Sequence, residues 1–473
     1  MRLLFLLLLL SLCLHVPAQK PVRQARPQVL YEPPDKPLRT MAEWEEVEHL
    51  VVVWSQYPAV LSEVVRYARE VCHVWVVCLD SMDVKRYLRE KNIPLAHISY
   101  LETDFNSIWI RDYGPQSVYI NGVDSLILTE WSYNRPRPLD DHFPVVLAKA
   151  LHLPLVSLSR SPNELVHTGG NFMTDGMGTA LSSRLILHEN NRSAAAIDTL
   201  MRRSMGIERY IKLEELPFDG IHHIDMHMKL LDEETLLVGA YPPGKADGPQ
   251  IEDNLAWLTG HTLSGFGRPW KTVRIPMPPD GHSYPDTEGS PYRTYTNLIF
   301  INTTVLVPLY DAAYDSTALR IIRAELPGYK VQGIDCRSVI RSGGALHCMT
   351  LTLGVRDPLL IVHQPLPDTL GSRHGYEVSA LIRHRSGIRE ARLWYRTDNQ
   401  MPFIAVPMHI STLARHTWTA SIPPQKAGRQ VQYYIEAESV SGKVMRKPLP
   451  GADGPWRFRI LKKSGSPEAP FTR

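Results

Sequence analysis

The chain has 473 residues, of which 44% are hydrophobic and 21% charged, with a formal net charge of +3. Such a chain can bury a large core, which excludes a disordered or low-complexity protein. A charge so close to balance gives no reason to invoke nucleic acid or a membrane surface.

At the N-terminus Met1-Arg2 runs into LLFLLLLLSLCL and then HVPAQK. A short charged start, an apolar core and a small-residue exit with Val16 and Ala18 predict a secretory signal, residues 1–18, cleaved near Ala18. The apolar run is short for a membrane span, and no other run is longer. The expectation is a secreted, periplasmic or cell-surface protein without a membrane span. Leu12 is bulky for a lipidation site at Cys13. The other cysteines, Cys72, Cys78, Cys336 and Cys348, are too few for a disulfide framework in a chain of this size. Cys72 and Cys78, in or beside HVWVVCL, read as small buried hydrophobes.

Residues 19–39 are proline-rich and polar and read as a mobile lead-in. An alternation follows: HLVVVWS as a buried strand, VLSEVVRYAREV as an amphipathic helix, HVWVVCL as a strand, DVKRYLREKN as a helix. The pattern returns as TLLVGAY, DNLAWLTGHTL and KTVRIPM, and again as LIFINTTVLVPLY, STALRIIRAEL and YKVQGID. About five such units favour an α/β fold over residues 40–365. The stretch HQPLPDTLGSRHG changes the texture, with residues 366–375 as a linker. Beyond it YEVSALIRH, ARLWYRT, TWTASIPP, VQYYIEAES and WRFRI alternate without helical period. Short strands at this spacing predict an immunoglobulin-like β-sandwich over 376–462, with a disordered tail at 463–473.

Four stretches carry polar residues that packing alone does not require: WIRDYGP with Asp112, HTGGN ending at Asn171, HHIDMH with His223 and Asp225, and SGGALHC ending at Cys348. The first begins as a strand and breaks at Gly114-Pro115. If HID is a strand, His223 and Asp225 point to one face, an acid/base beside a carboxylate. Each stretch alone has an ordinary explanation: Asp112 as a turn cap, His223 as a hydrogen-bonded histidine, the glycines before Cys348 as a simple turn.

Taken in order, Trp-x-Arg-Asp-x-Gly-Pro, Gly-Gly-Asn, His-x-Asp and a late Gly-Gly-x-x-His-Cys resemble the guanidine-modifying superfamily of agmatine deiminases and Porphyromonas-type peptidylarginine deiminases. The resemblance covers about residues 40 to 365. It implies a five-bladed α/β propeller (pentein) of ββαβ units. It also implies Cys348 as nucleophile, His223 as acid/base, and Asp112 and Asp225 as guanidinium ligands, with Trp109 as part of the wall. Asn171 and Asn297, in the Gly-Gly-Asn and YRTYTN segments, are carried over as substrate-binding residues.

These roles fit the chemistry. A guanidinium is a permanently charged planar fork of donors, and burying it requires carboxylates that accept in its plane. Its central carbon is an electrophile for a thiolate. A histidine can protonate the departing nitrogen and then activate water on the covalent thiouronium. Neither a redox cofactor nor a metal is needed, and acidic calcium-loop spacing is lacking.

WSYNRPRPLDD, residues 131 to 141, bears on which guanidine is used. Arg135 and Arg137 alternate with prolines that hold the backbone extended, a plausible clamp for a carboxylate. Pairing with Asp140 and Asp141 would be the ordinary alternative. The segment also resembles that by which peptidylarginine deiminases of this type grip a peptide's terminal carboxylate, and the expected substrate is a peptide ending in arginine. A small guanidine such as agmatine is the alternative, and a secreted binding protein on a degenerate scaffold a third reading. MHMKLL, after Asp225, departs from the peptidyl branch and leaves substrate choice open. A papain-like thiol hydrolase is disfavoured, since Cys348 comes late and follows Leu-His.

Overall fold

The structure, a computed structural model, describes residues 28–462. The expected signal segment, the start of the lead-in and the expected tail lie outside the described residues.

From residue 38 to 354 the chain builds five sheets, and each contains one recurring unit. Two antiparallel strands come first, a helix follows, and a third strand returns parallel to the second. Gln116–Ile120 pairs with Ser125–Tyr133, helix Pro138–Leu151 crosses over, and Leu155–Leu158 lies parallel to Ser125–Tyr133. The order repeats around Thr179–Ser183 with helix Ala194–Met205, around Thr235–Ala240 with helix Gly248–His261, and around Thr304–Leu309 with helix Ala312–Glu325. The fifth unit is split in sequence. Val47–Val53 and His73–Cys78 are its parallel pair, and its antiparallel strand is Thr350–Gly354 from the far end of the region. The two ends of the region therefore meet in one sheet.

The sequence explains this arrangement locally. Parallel neighbours need a crossover, and a helix with one apolar face supplies it while covering the sheet. On Pro58–Ala68 the residues Val60, Leu61, Val64, Val65 and Ala68 are buried. They pack against His73–Cys78, the parallel neighbour of Val47–Val53, whose last four residues are all buried. A run of valines with both sides covered is the signature of such a strand.

The lead-in differs from expectation. Val29–Leu30 pairs parallel with Leu155–Leu158, and Leu38–Thr40 pairs antiparallel with Gln116–Ile120, so both edges of one sheet are covered by it. The Thr40 hydroxyl donates to the Met205 carbonyl at 2.6 Å in a buried position. Strands of two and three residues are too short to show a period, which is why polar composition masked them.

The C-terminal strands form two sheets around a separate apolar core that includes Val378, Ile382, Leu393, Tyr433, Ile435 and Phe458. This region begins earlier than the expected linker. Leu360–His363 pairs with Tyr376–Arg383, and Thr369–Leu370 pairs with Trp456–Leu461. Ion pairs of Lys443 with Glu46 and of Lys447 with Glu233, the latter at 3.0 Å, link it to the first region. Among the described residues no helix is long and apolar enough to cross a membrane.

Candidate active site

Four loops from different units bring the singled-out residues together. The first, WIRDYGP, is a single helical turn, Ile110–Tyr113, rather than a strand end, and Asp112 is buried on it. Asp140 fixes the preceding loop by accepting from the backbone nitrogens of Asn106 and Ser107 at 2.7 and 3.1 Å. Trp109 stands just before the turn, packed toward Gly344.

The HID segment is also not a strand. Ile224–Met226 is a 3-10 turn that His223 precedes, so the expected same-face argument does not apply. The two side chains instead separate to two partners. His223 Nδ1 lies 3.7 Å from Asp112 Oδ1, and neither ring nitrogen has a hydrogen-bond partner among the described residues. Asp225 Oδ2 lies 3.7 Å from Cys348 Sγ, within reach of the thiol proton.

Two glycines make this approach possible. A Cβ on Gly170 would stand 2.6 Å from His223 Nδ1 and 2.8 Å from Asp112 Oδ1. One on Gly344 would stand 2.8 Å from Cys348 Sγ and from the Trp109 ring. The second glycine of each pair is therefore explained by close packing around these groups, while Gly169 abuts the Arg111 carbonyl and Gly343 takes a left-handed φ of 93° that favours glycine.

Asn297 ties the cysteine loop to the carboxylate. Its Oδ1 accepts from the backbone nitrogens of Ala345 and His347 at 3.2 and 3.0 Å. Its Nδ2 donates to Asp225 Oδ2 at 3.1 Å and to Cys348 Sγ at 3.3 Å. Asn171 is likewise fully buried, and its Oδ1 accepts from the backbone of Ser183 and Ile224 at 2.8 and 3.3 Å. Both asparagines, expected to contact substrate, serve first to hold the loops that carry the other residues.

The electrostatics are those of a buried anion pair beside a thiol. Burial pushes the Asp112 carboxyl up; His223 opposes this and Asp225 adds to it. Burial also works to raise Asp225, but the hydrogen bond and charge of His347 outweigh it and bring this carboxyl below its usual range. Cys348, only 2% exposed, is pushed well above the ordinary thiol range by burial and then by Asp225 and Asp112. All three groups would be relieved by one cation placed among them. Among the described residues Cys72, Cys78 and Cys336 are also free, with burial raising Cys72 to about 12 and Cys78 to about 11.

The arginine loop does not form the symmetric extended pair expected of it. Pro138 opens a helix, Arg137 caps it while half-buried, and Arg135 is exposed. Arg137 donates to the Tyr133 hydroxyl at 3.3 Å, and Tyr133 in turn feels the charge of Asp112. Pairing with Asp140 and Asp141 is not found. Asp140 is occupied as above, Asp141 accepts from the Tyr133 backbone nitrogen at 2.7 Å, and neither arginine forms an ion pair among the described residues.

Sequence reasoning missed Glu43, Lys229 and His347. His347 Nδ1 lies 2.6 Å from Asp225 Oδ2 and its Nε2 lies 2.9 Å from Glu43 Oε1, while Glu43 Oε2 accepts from Lys229. His347 directly precedes Cys348, and Lys229 lies in the unmatched MHMKLL, so position was the available signal.

An α/β scaffold here gathers a buried cysteine, a histidine and two carboxylates, the groups that thiol chemistry on a cationic group would need. The family model for Porphyromonas-type peptidyl-arginine deiminase matches residues 39–353, and the chain belongs to that family, whose members are hydrolases acting on C–N bonds of linear amidines. A relative from Shewanella baltica (strain OS223), described as "Putative agmatine deiminase", is 24% identical over 302 residues, covering 56% of this chain and 79% of its own. Among solved structures, the agmatine deiminase of Enterococcus faecalis superposes with a TM-score of 0.60 at 21% identity, over 70% of this chain and 100% of that one. The C. jejuni agmatine deiminase gives a TM-score of 0.57 at 24% identity, over 67% of this chain and 96% of that one. These superpositions establish that the α/β region has the fold of the deiminases.

Proposed function

We propose that this protein hydrolyses the guanidinium of a C-terminal peptidyl-arginine to a ureido group, yielding citrulline and ammonia. The observation that carries the chemistry is the convergence of Asp112, His223, Asp225 and Cys348 in one buried, anionic site. A guanidinium held between Asp112 and Asp225 satisfies both carboxylates and lowers the cost of forming the thiolate. The Cys348 proton passes to His223, and the thiolate bonds to the central guanidinium carbon. His223 returns that proton to one nitrogen, the C–N bond breaks, and ammonia leaves behind a thiouronium. His223 then takes a proton from water and hydroxide adds to the same carbon. As the C–S bond breaks and the ureido carbonyl forms, the hydroxyl proton restores the Cys348 thiol and His223 gives its proton to ammonia, which ends as ammonium.

The peptide specificity rests on Arg135 and Arg137, which are free of ion-pair partners among the described residues, with Arg137 reaching toward the Asp112 side through Tyr133. A chain-terminal carboxylate would complement them. The second reading is agmatine, which the descriptions of the similar proteins favour. A cycle of wild type, Arg135→Ala and Arg137→Ala against a peptide acid and its amide separates the two. A charge-assisted hydrogen bond is worth about 1.5–3 kcal/mol, so each substitution should lower kcat/KM for the acid by roughly 10- to 150-fold and leave the amide nearly unchanged. Equal losses on both substrates would leave the arginines as loop supports only.

On this reading the five units form a five-bladed propeller around the site, and the C-terminal sheets an immunoglobulin-like accessory module. The N-terminal sequence supports export. N-terminal sequencing of the protein recovered outside the cytoplasm should start after Ala18, and a retained Met1 would contradict that.

A further inference from the structure

Next to the site, four groups alternate in charge type, with Asp225, His347 and Lys229 buried and Glu43 part-buried. Asp225 Oδ2 faces His347 Nδ1 at 2.6 Å, His347 Nε2 faces Glu43 Oε1 at 2.9 Å, and Glu43 Oε2 accepts from Lys229. His347 and Lys229 are almost completely buried. Asp225 spends Oδ2 on His347, on Asn297 and on the approach of Cys348, while its Oδ1 has no partner among the described residues. A carboxylate so held has one oxygen fixed in the protein and one free for substrate.

We propose that His347 is a positioning residue of the reaction, and that Glu43 orients it. The imidazole N–H clamps Asp225 by one oxygen, keeps the other directed at the guanidinium, and stabilises the carboxylate in a desolvated site where it would otherwise take up a proton. Glu43 fixes the ring by accepting from its far nitrogen, and Lys229 secures Glu43. This adds a second carboxylate–imidazole unit, Asp225 with His347, to that of Asp112 and His223. The proposal rests on Asp225 being a guanidinium ligand.

Two isosteres divide the two arms of the ring. The amide nitrogen of asparagine lies where Nδ1 does, and that of glutamine where Nε2 does. His347→Asn retains the donor to Asp225 and loses the link to Glu43; His347→Gln does the reverse. A charge-assisted hydrogen bond of the usual strength corresponds to about 10- to 150-fold. His347→Gln should therefore lower kcat/KM for the arginine peptide by about that factor, through raised KM as well as lowered kcat. His347→Asn should stay within about 10-fold of wild type. Equal losses in the two variants, or rescue by His347→Leu, would reduce His347 to a packing role and overturn the proposal.

Asp225→Asn and the double variant Asp225→Asn/His347→Gln are measured alongside. If the two residues act as one unit, the double variant is no worse than Asp225→Asn alone. Near-normal turnover by Asp225→Asn would instead refute the guanidinium-ligand reading beneath it. Should His347→Gln fail to fold, Glu43→Gln carries the test: it should lower kcat/KM by about 3- to 10-fold, and wild-type turnover would remove Glu43 from the chain.

Discussion

Cys348 is the residue whose chemistry depends most on its surroundings. Burial and two carboxylates hold its thiol protonated, so general thiol reactivity should be low. A haloacetamidine, which carries the cation that the site lacks, should alkylate Cys348 at least about tenfold faster than iodoacetamide does, since one pKa unit is a factor of ten in thiolate. Mass mapping of the labelled residue, with Cys72 and Cys78 as internal controls, checks this. Equal rates for the two reagents would mean that the carboxylates do not govern the thiol. Cys348→Ala should abolish turnover and leave the fold intact. Asp112→Asn and Asp225→Asn keep shape but strip a charge that would face a buried cation, a loss of about 3–5 kcal/mol or roughly two to four orders of magnitude in kcat/KM. Near-normal kinetics in either would remove that residue from substrate binding. The four residues that the structure gathers, Asp112, His223, Asp225 and Cys348, were legible because polar groups stood in ordered motifs. Glu43 and Lys229 were not, because nothing in one dimension shows which buried charges meet, and residues 43 and 229 are far apart in the chain.

At the scale of elements, long periodic segments were read correctly. The helices at Pro58–Ala68, Gly248–His261 and Ala312–Glu325 and the valine-rich strands declare themselves by pattern. The one-turn helix at Ile110–Tyr113 and the 3-10 turn at Ile224–Met226 did not, because three or four residues cannot express a helical period. The short strand Leu38–Thr40 was hidden for the same reason. Thr40→Val tests its anchoring: leaving the Met205 carbonyl unsatisfied in a buried place should cost about 1–3 kcal/mol in urea unfolding. An unchanged midpoint would mean that the edge strand contributes little. Strand Ser125–Tyr133 carries a second test. Burial raises Glu130 to about 7, against the hydrogen bond from Ser157. Its folded pKa exceeds the unfolded one, so this contribution is fully present below about 4.5, the usual glutamate value, and is lost as pH rises through about 7. Glu130→Gln mimics the protonated form, so its stability relative to wild type should grow from about pH 5 to about pH 8. A pH-independent difference would show that Glu130 is ionised alike in both states.

For the whole molecule, the α/β character and the change to short strands past residue 360 were both visible in the sequence. The border between them was placed too late. Leu360–His363 falls in the stretch assigned to the α/β region and Thr369–Leu370 in the proline-containing linker, yet both pair into the C-terminal sheets. Ion pairs across the border, Lys443 with Glu46 and Lys447 with Glu233, had no sequence signal at all. What unites the molecule is that four separate units each lend one loop to a site whose charges suit a guanidinium. The most direct measurement is therefore the release of ammonia and of a ureido product by the purified protein. The panel is a peptide ending in arginine, its amide, and agmatine, each with wild type and Cys348→Ala. The account predicts stoichiometric ammonia and citrulline from the free-acid peptide, much slower turnover of the other two, and none by the variant. Absence of ureido product from every guanidine, or undiminished release by Cys348→Ala, would contradict it.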